Sequence, residues 1–197
     1  MNFSEVWECV EPIKSWVQKQ ECEALWRLGV TAAREARMLA KVPVAVDIGG
    51  ARGRSSIVLH KAGLAVVTVS LWDDKDEGTQ TEFAVNARRC GCSGGIVALK
   101  GNSNEVWKKV HHLDGLVDLL FVDGGHDKDT VVNDILGWGT KVRVGGYMVF
   151  HDAGKNSTFT GVNEAVAMLR TGAWGRQIGS WDLVGAVSFL TAFRRMA

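Results

Sequence analysis

Charge of one sign is missing from this sequence. Lys and Arg number 23 against 22 Asp and Glu, a net charge of +1, so bulk electrostatics give no case for binding DNA or RNA. Long apolar runs are missing too. No stretch approaches 18 uninterrupted apolar residues, so no membrane span is expected. The opening MNFSEVWECVEPIK carries acidic residues early and no apolar run of signal-peptide length, and a cytoplasmic protein is the expectation. Cysteine is scarce: Cys9, Cys22, Cys90 and Cys92. One residue separates Cys90 from Cys92, where structural zinc pairs have two or more, and no second pair matches it. Reduced thiols are expected, with neither a disulfide framework nor a zinc site. No repeat, linker or low-complexity segment divides the chain.

What remains is an ordinary globular balance, 46% apolar and 23% charged over 197 residues, enough for one domain with a layered core. Residues 1–42 read as a helical cover and 43–197 as an α/β core. In the cover, Phe3, Val6, Trp7, Val10, Ile13 and Trp16 recur at helical spacing with a break at Pro12. Glu21 to Ala40 is rich in helix formers. Trp7, Trp16 and Trp26 are candidates to cover a pocket, although packing explains each alone. Beyond Pro43 the chain alternates. Strands are expected at Val44–Ile48, Ala65–Ser70, Gly95–Lys100, Leu116–Asp123 and Tyr147–His151, with helices at Ser55–Ala62, Thr81–Arg89, Ser103–His111, Asp127–Leu136 and Gly161–Arg170. Arg176–Trp181 and Gly185–Phe193 read as a closing hairpin. The pattern predicts a doubly wound, mainly parallel seven-stranded sheet with a C-terminal antiparallel hairpin and N-terminal helices.

Val44 to Ser56, VAVDIGGARGRSS, is the most informative stretch. A buried strand ends in Asp47, glycines at 49, 50 and 53 turn the chain, and a helix begins at Ser55. Such a turn lets a polar ligand approach the backbone, with unpaired first-turn N–H groups as donors. The glycine spacing fits G-x-G-x-x-G poorly, and no Gly-Lys-Ser/Thr follows, which disfavours a dinucleotide and excludes a phosphate loop.

D-I-G-x-x-x-G-x-S resembles the first motif of class I S-adenosylmethionine-dependent methyltransferases. DLLFVDGGHDKDTVVNDILGWGTKVRVGGYMVFHD, residues 118 to 152, is similar to the fourth-to-fifth-strand segment of small metal-dependent O-methyltransferases of the macrolide-sugar type. The resemblance runs from about Val44 to Phe193. It implies that Gly49 and Gly53 frame the methionine end of S-adenosylmethionine. Asp47 would hold the turn and receive the amino group, and Ser55 would bind the carboxylate. Asn102 and Ser103 match the loop beside the adenine, and Trp72 is a candidate to stack on it. Ser70 stands where the second strand normally supplies an acid to the ribose, leaving Asp73 or Asp74 as substitutes.

Asp123 and Asp152 end neighbouring strands about 4.8 Å apart. Two carboxylates that close repel unless a cation or proton lies between them. The resemblance implies a divalent metal, Mg or Mn, on Asp123, Asp152 and the fifth-strand partner, which is His151 here. Imidazole suits Mn, Fe or Zn better than Mg. So either His151 is a ligand and the metal is not strictly Mg, or His151 packs inward and the carboxylates suffice. His126, in D-G-x-H, matches the general base of the macrolide-sugar enzymes. An imidazole, with a reference pKa near 6.5, can take a hydroxyl's proton at neutral pH.

The resemblance therefore implies metal-assisted O-methylation of a small hydroxylated acceptor such as a sugar or glycosylated metabolite. Pairing through the N-terminal helices is common in the resembling enzymes. Two alternatives stand beside it. One is an inactive methyltransferase-fold module that binds a partner. The other is a nucleic-acid methyltransferase, which the neutral charge and the lack of an Asn/Asp-Pro-Pro-Tyr/Phe motif disfavour.

Overall fold

The structure, a computed structural model, describes residues 1–72, 79–154 and 157–196. Seven strands form one sheet in the order β3-β2-β1-β4-β5-β7-β6. They are β1 (Val44–Ile48), β2 (Ala65–Ser70), β3 (Ile96–Lys100), β4 (Val117–Val122), β5 (Val142–Phe150), β6 (Trp181–Val187) and β7 (Leu190–Arg195). The first five run parallel, and β7 pairs antiparallel with both β5 and β6. The order reverses between β1 and β4, which opens a crevice beyond the strand ends where ligands bind in such sheets.

Helices cover both faces. α1 (Phe3–Val10), α2 (Lys19–Met38) and α3 (Arg54–Lys61) pack on one, where Ala45, Leu119, Phe121, Tyr147 and Val149 point. α6 (Lys128–Gly139) and α7 (Thr160–Arg170) pack on the other, against Val46, Ile48, Leu120, Met148 and Phe150. Successive strand residues thus alternate between two cores. α4 (Thr79–Arg89) and the short α5 (Ser103–Val106) and α8 (Gly175–Ile178) complete the chain. Asp118, the one charge inside β4, is buried and paired. It accepts from Arg143 Nε at 2.6 Å and from the Val44 backbone N–H at 2.8 Å, tying three strands together.

Four expectations are corrected. β5 begins at Val142, five residues early, because Gly145 adopts φ 79° and the register shifts between Val117 and Leu119, so the Gly145-Gly146 turn lies inside the strand. The helix expected at Ser103–His111 closes after four residues into two 3₁₀ turns, Trp107–Lys109 and His111–Leu113. Arg176–Trp181 is not a strand: α8 occupies its first part, and the hairpin is β6–β7. The cysteines are not all reduced. Cys9, near the end of α1, is disulfide-bonded to Cys90, just past α4, a pair that only the folded chain brings together; Cys22 and Cys92 are free and buried.

Candidate active site

The β1–α3 turn forms the floor of the crevice. Gly49 has φ 89°, and a Cβ there would lie 1.8 Å from the Asp123 carbonyl oxygen, so only glycine lets the two turns touch. Gly53, φ 95°, caps α3 at its N-terminus, where a side chain would press on Phe83. Asp47 lies wholly beneath this turn. Its Oδ2 accepts from the hydroxyls of Ser55, at 2.8 Å, and Ser56, while Oδ1 has no partner among the described residues. Burial pushes its pKa up to about 6 against the opposing pull of those hydroxyls, with the Asp123 charge adding to the rise. The carboxylate therefore holds the turn. Ser55 keeps its place on the cavity wall, but its hydroxyl proton is given to Asp47.

Two cavities of about 440 Å³ each meet here, sharing Gly49, Ala51 and Asp123. Ser70, Trp72, Asn102 and Ser103, the four residues expected at the adenosine, line one of them. Trp72 is engaged on both sides, donating from Nε1 to Ala51 O at 2.8 Å and meeting Phe83 edge-on at 5.3 Å. It forms a wall. Asn102 caps α5 through the Asn104 N–H. Asp73 and Asp74 lie outside the described residues. The other cavity is lined by Ser55, Asp123, His126 and Asp152, and on its outer side by 14–17, where Trp16 stands 86% exposed.

The strand ladders carry the catalytic candidates into place. The Asp123 N–H donates to Ile48 O at 2.9 Å and the His151 N–H to Val122 O at 3.0 Å, continuing the β1–β4–β5 pairing by one residue each. His151 follows the alternation of Tyr147 and Val149 and enters the α2 face, 4% exposed. Alternation would send Asp152 the opposite way. Instead Asp152 takes φ 56°, a conformation that costs a side-chain-bearing residue about 1–2 kcal/mol. Both neighbours consequently face one site, and the strand rule alone did not foresee it.

Four side chains meet. Asp123, His126 and Asp152 each bring a donor atom within 4.8 Å of the others. His126 Nε2 lies 2.9 Å from Asp152 Oδ2, and its ring stacks on Phe159 at 4.1 Å. His151 Nδ1 lies 3.1 Å from Asp123 Oδ1 and 3.2 Å from Asp152 Oδ2, yet out of line for a hydrogen bond to either. Its Nε2 lies 3.3 Å from Glu21 Oε2. Burial alone would push the His151 pKa down, but the Asp123 and Glu21 carboxylates, with the Asp152 charge, outweigh it and raise it to about 10. Burial pushes Asp123 up against the opposing influence of His151. Three carboxylates, Glu21, Asp123 and Asp152, thus surround the His151 imidazole.

Glu21 and Arg54 were not among the residues singled out from sequence. In the sequence Glu21 only opens a stretch of helix formers; in the structure it caps α2, its Oε2 accepting the Gln18 N–H at 2.7 Å. No local signal marks its contact across 130 residues.

The Methyltransferase domain family profile matches residues 46–153. No curated protein matches the sequence closely enough to count as a relative. Solved structures share the fold. The O-methyltransferase TomG from Streptomyces achromogenes, involved in tomaymycin synthesis and solved with SAM, superposes with TM-score 0.69 at 15% identity, covering 99% of this chain and 89% of that one. The O-methyltransferase from Bacillus cereus in complex with SAH gives 0.68 at 15%, covering 98% and 90%. MycE, the methyltransferase from the mycinamycin biosynthetic pathway solved with Mg and SAH, gives 0.63 at 16%, covering all of this chain and 55% of that one.

Proposed function

The chain belongs to the methyltransferase domain family, and from that premise we propose that it transfers a methyl group from S-adenosylmethionine to a hydroxyl oxygen of a small molecule, with His126 as general base. The observation that carries this reading is the His126–Asp152 pair, at 2.9 Å, on the wall of the cavity that meets the glycine turn at Asp123. The adenosine belongs in the cavity lined by Ser70, Trp72, Asn102 and Ser103. The methionine end belongs over Gly49 and the first turn of α3, whose N–H groups favour a carboxylate. Beyond it, the acceptor has the space between Trp16 and the His126–Phe159 stack. A sugar or glycosylated metabolite suits a half-open cleft with aromatic walls, and the tomaymycin-synthesis and mycinamycin-pathway enzymes that share the fold support a small-molecule acceptor.

The chemistry is an in-line displacement. The acceptor oxygen attacks the methyl carbon, the carbon–sulfur bond breaks, and its electron pair stays on sulfur, leaving S-adenosylhomocysteine. The hydroxyl proton must leave as the new bond forms. Asp152 receives the Nε2–H of His126 and so fixes the tautomer, which leaves Nδ1 as the nitrogen that takes that proton.

A divalent cation fits the donor set. Asp123 and Asp152 supply hard oxygens, and the buried His151 Nδ1 faces both while in line for no hydrogen bond among the described residues. These three residues are its proposed ligands. Bound there, a cation lowers the acceptor hydroxyl's pKa and orients it.

Calorimetry and turnover test the reading together. His126→Ala is expected to bind S-adenosylhomocysteine within about twofold of wild type and to lose about 100-fold or more in turnover on a hydroxyl panel, the usual scale for a general base. Absence of any S-adenosylmethionine or S-adenosylhomocysteine binding by the wild-type chain sinks the proposal. Ser70 in the place of the ribose acid favours a second reading, a binding module without turnover. Tight product binding with no transfer to any hydroxyl would support it.

A further inference from the structure

Glu21 is a carboxylate sealed inside the protein, 0% exposed on a helix face otherwise made of Cys22, Leu25, Ala32 and Ala33. Burying such a charge costs several kcal/mol unless donors surround it. Four polar groups among the described residues do, the Ser188 hydroxyl being one. Oε2 takes the Gln18 N–H at 2.7 Å and faces His151 Nε2 at 3.3 Å, and Oε1 takes the Phe189 N–H at 3.2 Å from the β6–β7 turn. The backbone donors account for capping α2 and closing the hairpin. The contact with His151 serves neither, and it sits one imidazole away from the carboxylate pair.

That geometry has a consequence for the other ring nitrogen. Among three carboxylates the ring is held as the imidazolium, and a cation that took the place of the Nδ1 proton would leave the Nε2–H on Glu21 and the Nδ1 lone pair as a ligand. Nδ1 is buried, is in line for no hydrogen bond among the described residues, and lies 3.1 and 3.2 Å from oxygens of Asp123 and Asp152. A lone pair facing two carboxylates is repulsive unless a proton or a cation lies between them. Carboxylate–histidine–metal arrays solve this problem: the outer carboxylate fixes the tautomer and ring orientation and makes the ligating nitrogen more basic.

Resting on the cation site proposed above, we infer that Glu21 is its positioning residue: reaching from the N-terminal helix α2, it holds His151 as a nitrogen ligand through Nδ1, so that the site selects Mn²⁺ or Co²⁺ over Mg²⁺. The selection follows from the donor set. Two carboxylates and an imidazole satisfy borderline cations, whereas Mg²⁺ prefers oxygen throughout. The N-terminal helices are thereby part of the site.

The test uses the full chain, stripped with chelator. Co²⁺ is added while visible absorption is followed, and Mn²⁺ and Mg²⁺ affinities are measured by calorimetry. The wild type is expected to bind Mn²⁺ at least about tenfold more tightly than Mg²⁺. Glu21→Gln and Glu21→Ala should weaken Mn²⁺ and Co²⁺ by about 10- to 100-fold and shift the Co²⁺ bands, with S-adenosylhomocysteine binding retained as the check on folding. His151→Asp should reverse the preference toward Mg²⁺. If both Glu21 variants fail that folding check, the His151→Asp reversal and the wild-type preference decide. Unchanged Mn²⁺ affinity in folded Glu21→Gln, or a wild type that prefers Mg²⁺, overturns this inference alone. A wild type that binds no cation removes the proposed metal site with it, while S-adenosylhomocysteine binding and the His126 test still stand.

Discussion

Asp134 shows how far a single side chain can depart from its sequence setting. On α6 it reads as an ordinary helix acid, yet it is 0% exposed, and burial pushes its pKa up to about 7, which the Ser103 hydroxyl only partly opposes. The folded pKa stands above the unfolded value of 3.8. Its contribution to stability is therefore fully present below about pH 4 and is lost as pH rises through 7. About three pKa units correspond to roughly 4 kcal/mol at 1.36 kcal/mol per unit, as an upper figure. Asp134→Asn, neutral at every pH, should be more stable than wild type at pH 8 and lose most of that advantage by pH 5, read by urea unfolding at both. Equal differences at the two pH values would show that the carboxylate is not strained. Asp123 and Asp152 were legible because each stops an apolar run at a predictable strand end, and His126 because two glycines place it after one of them. Asp134 and Glu21 were not, since burial of a helical acid depends on neighbours far away in sequence.

At the scale of elements, strand limits were legible where an apolar run met glycine, proline or a polar residue. β1, β2, β3 and β4 are mainly apolar runs, and their limits were expected to within a residue. β6 is exposed at six of its seven positions, with Leu183 and Val184 facing outward on the sheet edge. No core constrains its pattern, so the hairpin was placed several residues early. The Cys9–Cys90 link had no local signature at all, because 81 residues separate the partners. It ties the N-terminal cover to α4 and closes a long loop, which the chain-entropy account values at roughly 4 kcal/mol. Without reductant, the denatured chain should therefore show two titratable thiols, from Cys22 and Cys92, and four after reduction. Reduction should lower the melting temperature by about 10 °C or more if the loop account holds. Four thiols in the freshly purified, unreduced protein would mean that the bridge does not form there.

Across the whole molecule, the N-terminal cover and the sheet are joined at the site itself. Tyr147 and Arg194 reach Glu35 on α2, and Glu21 reaches His151, so one helix is bound along the α2 face of β5. The segment between α1 and α2 is fastened by Arg54 from the first turn of α3. Its guanidinium donates to the carbonyls of Val17, at 2.8 Å, Glu11, at 3.1 Å, and Ile13, and lies over the Trp7 ring at 5.5 Å. Residues 14–17 of that segment wall the cavity opposite Gly49. Arg54 thus couples the cofactor turn to the cover. Arg54→Met keeps the aliphatic stem but removes every donor, and leaves three carbonyls with only water to satisfy them. A loss of about 1–3 kcal/mol in stability is expected, the range for hydrogen bonds to a charged group. Affinity for S-adenosylhomocysteine should fall several-fold by calorimetry, whereas Arg34→Ala, exposed on α2 away from the cavity, should leave it unchanged. If Arg54→Met is destabilised but binds as wild type does, segment 14–17 is a cover for the core and no part of the cofactor's wall.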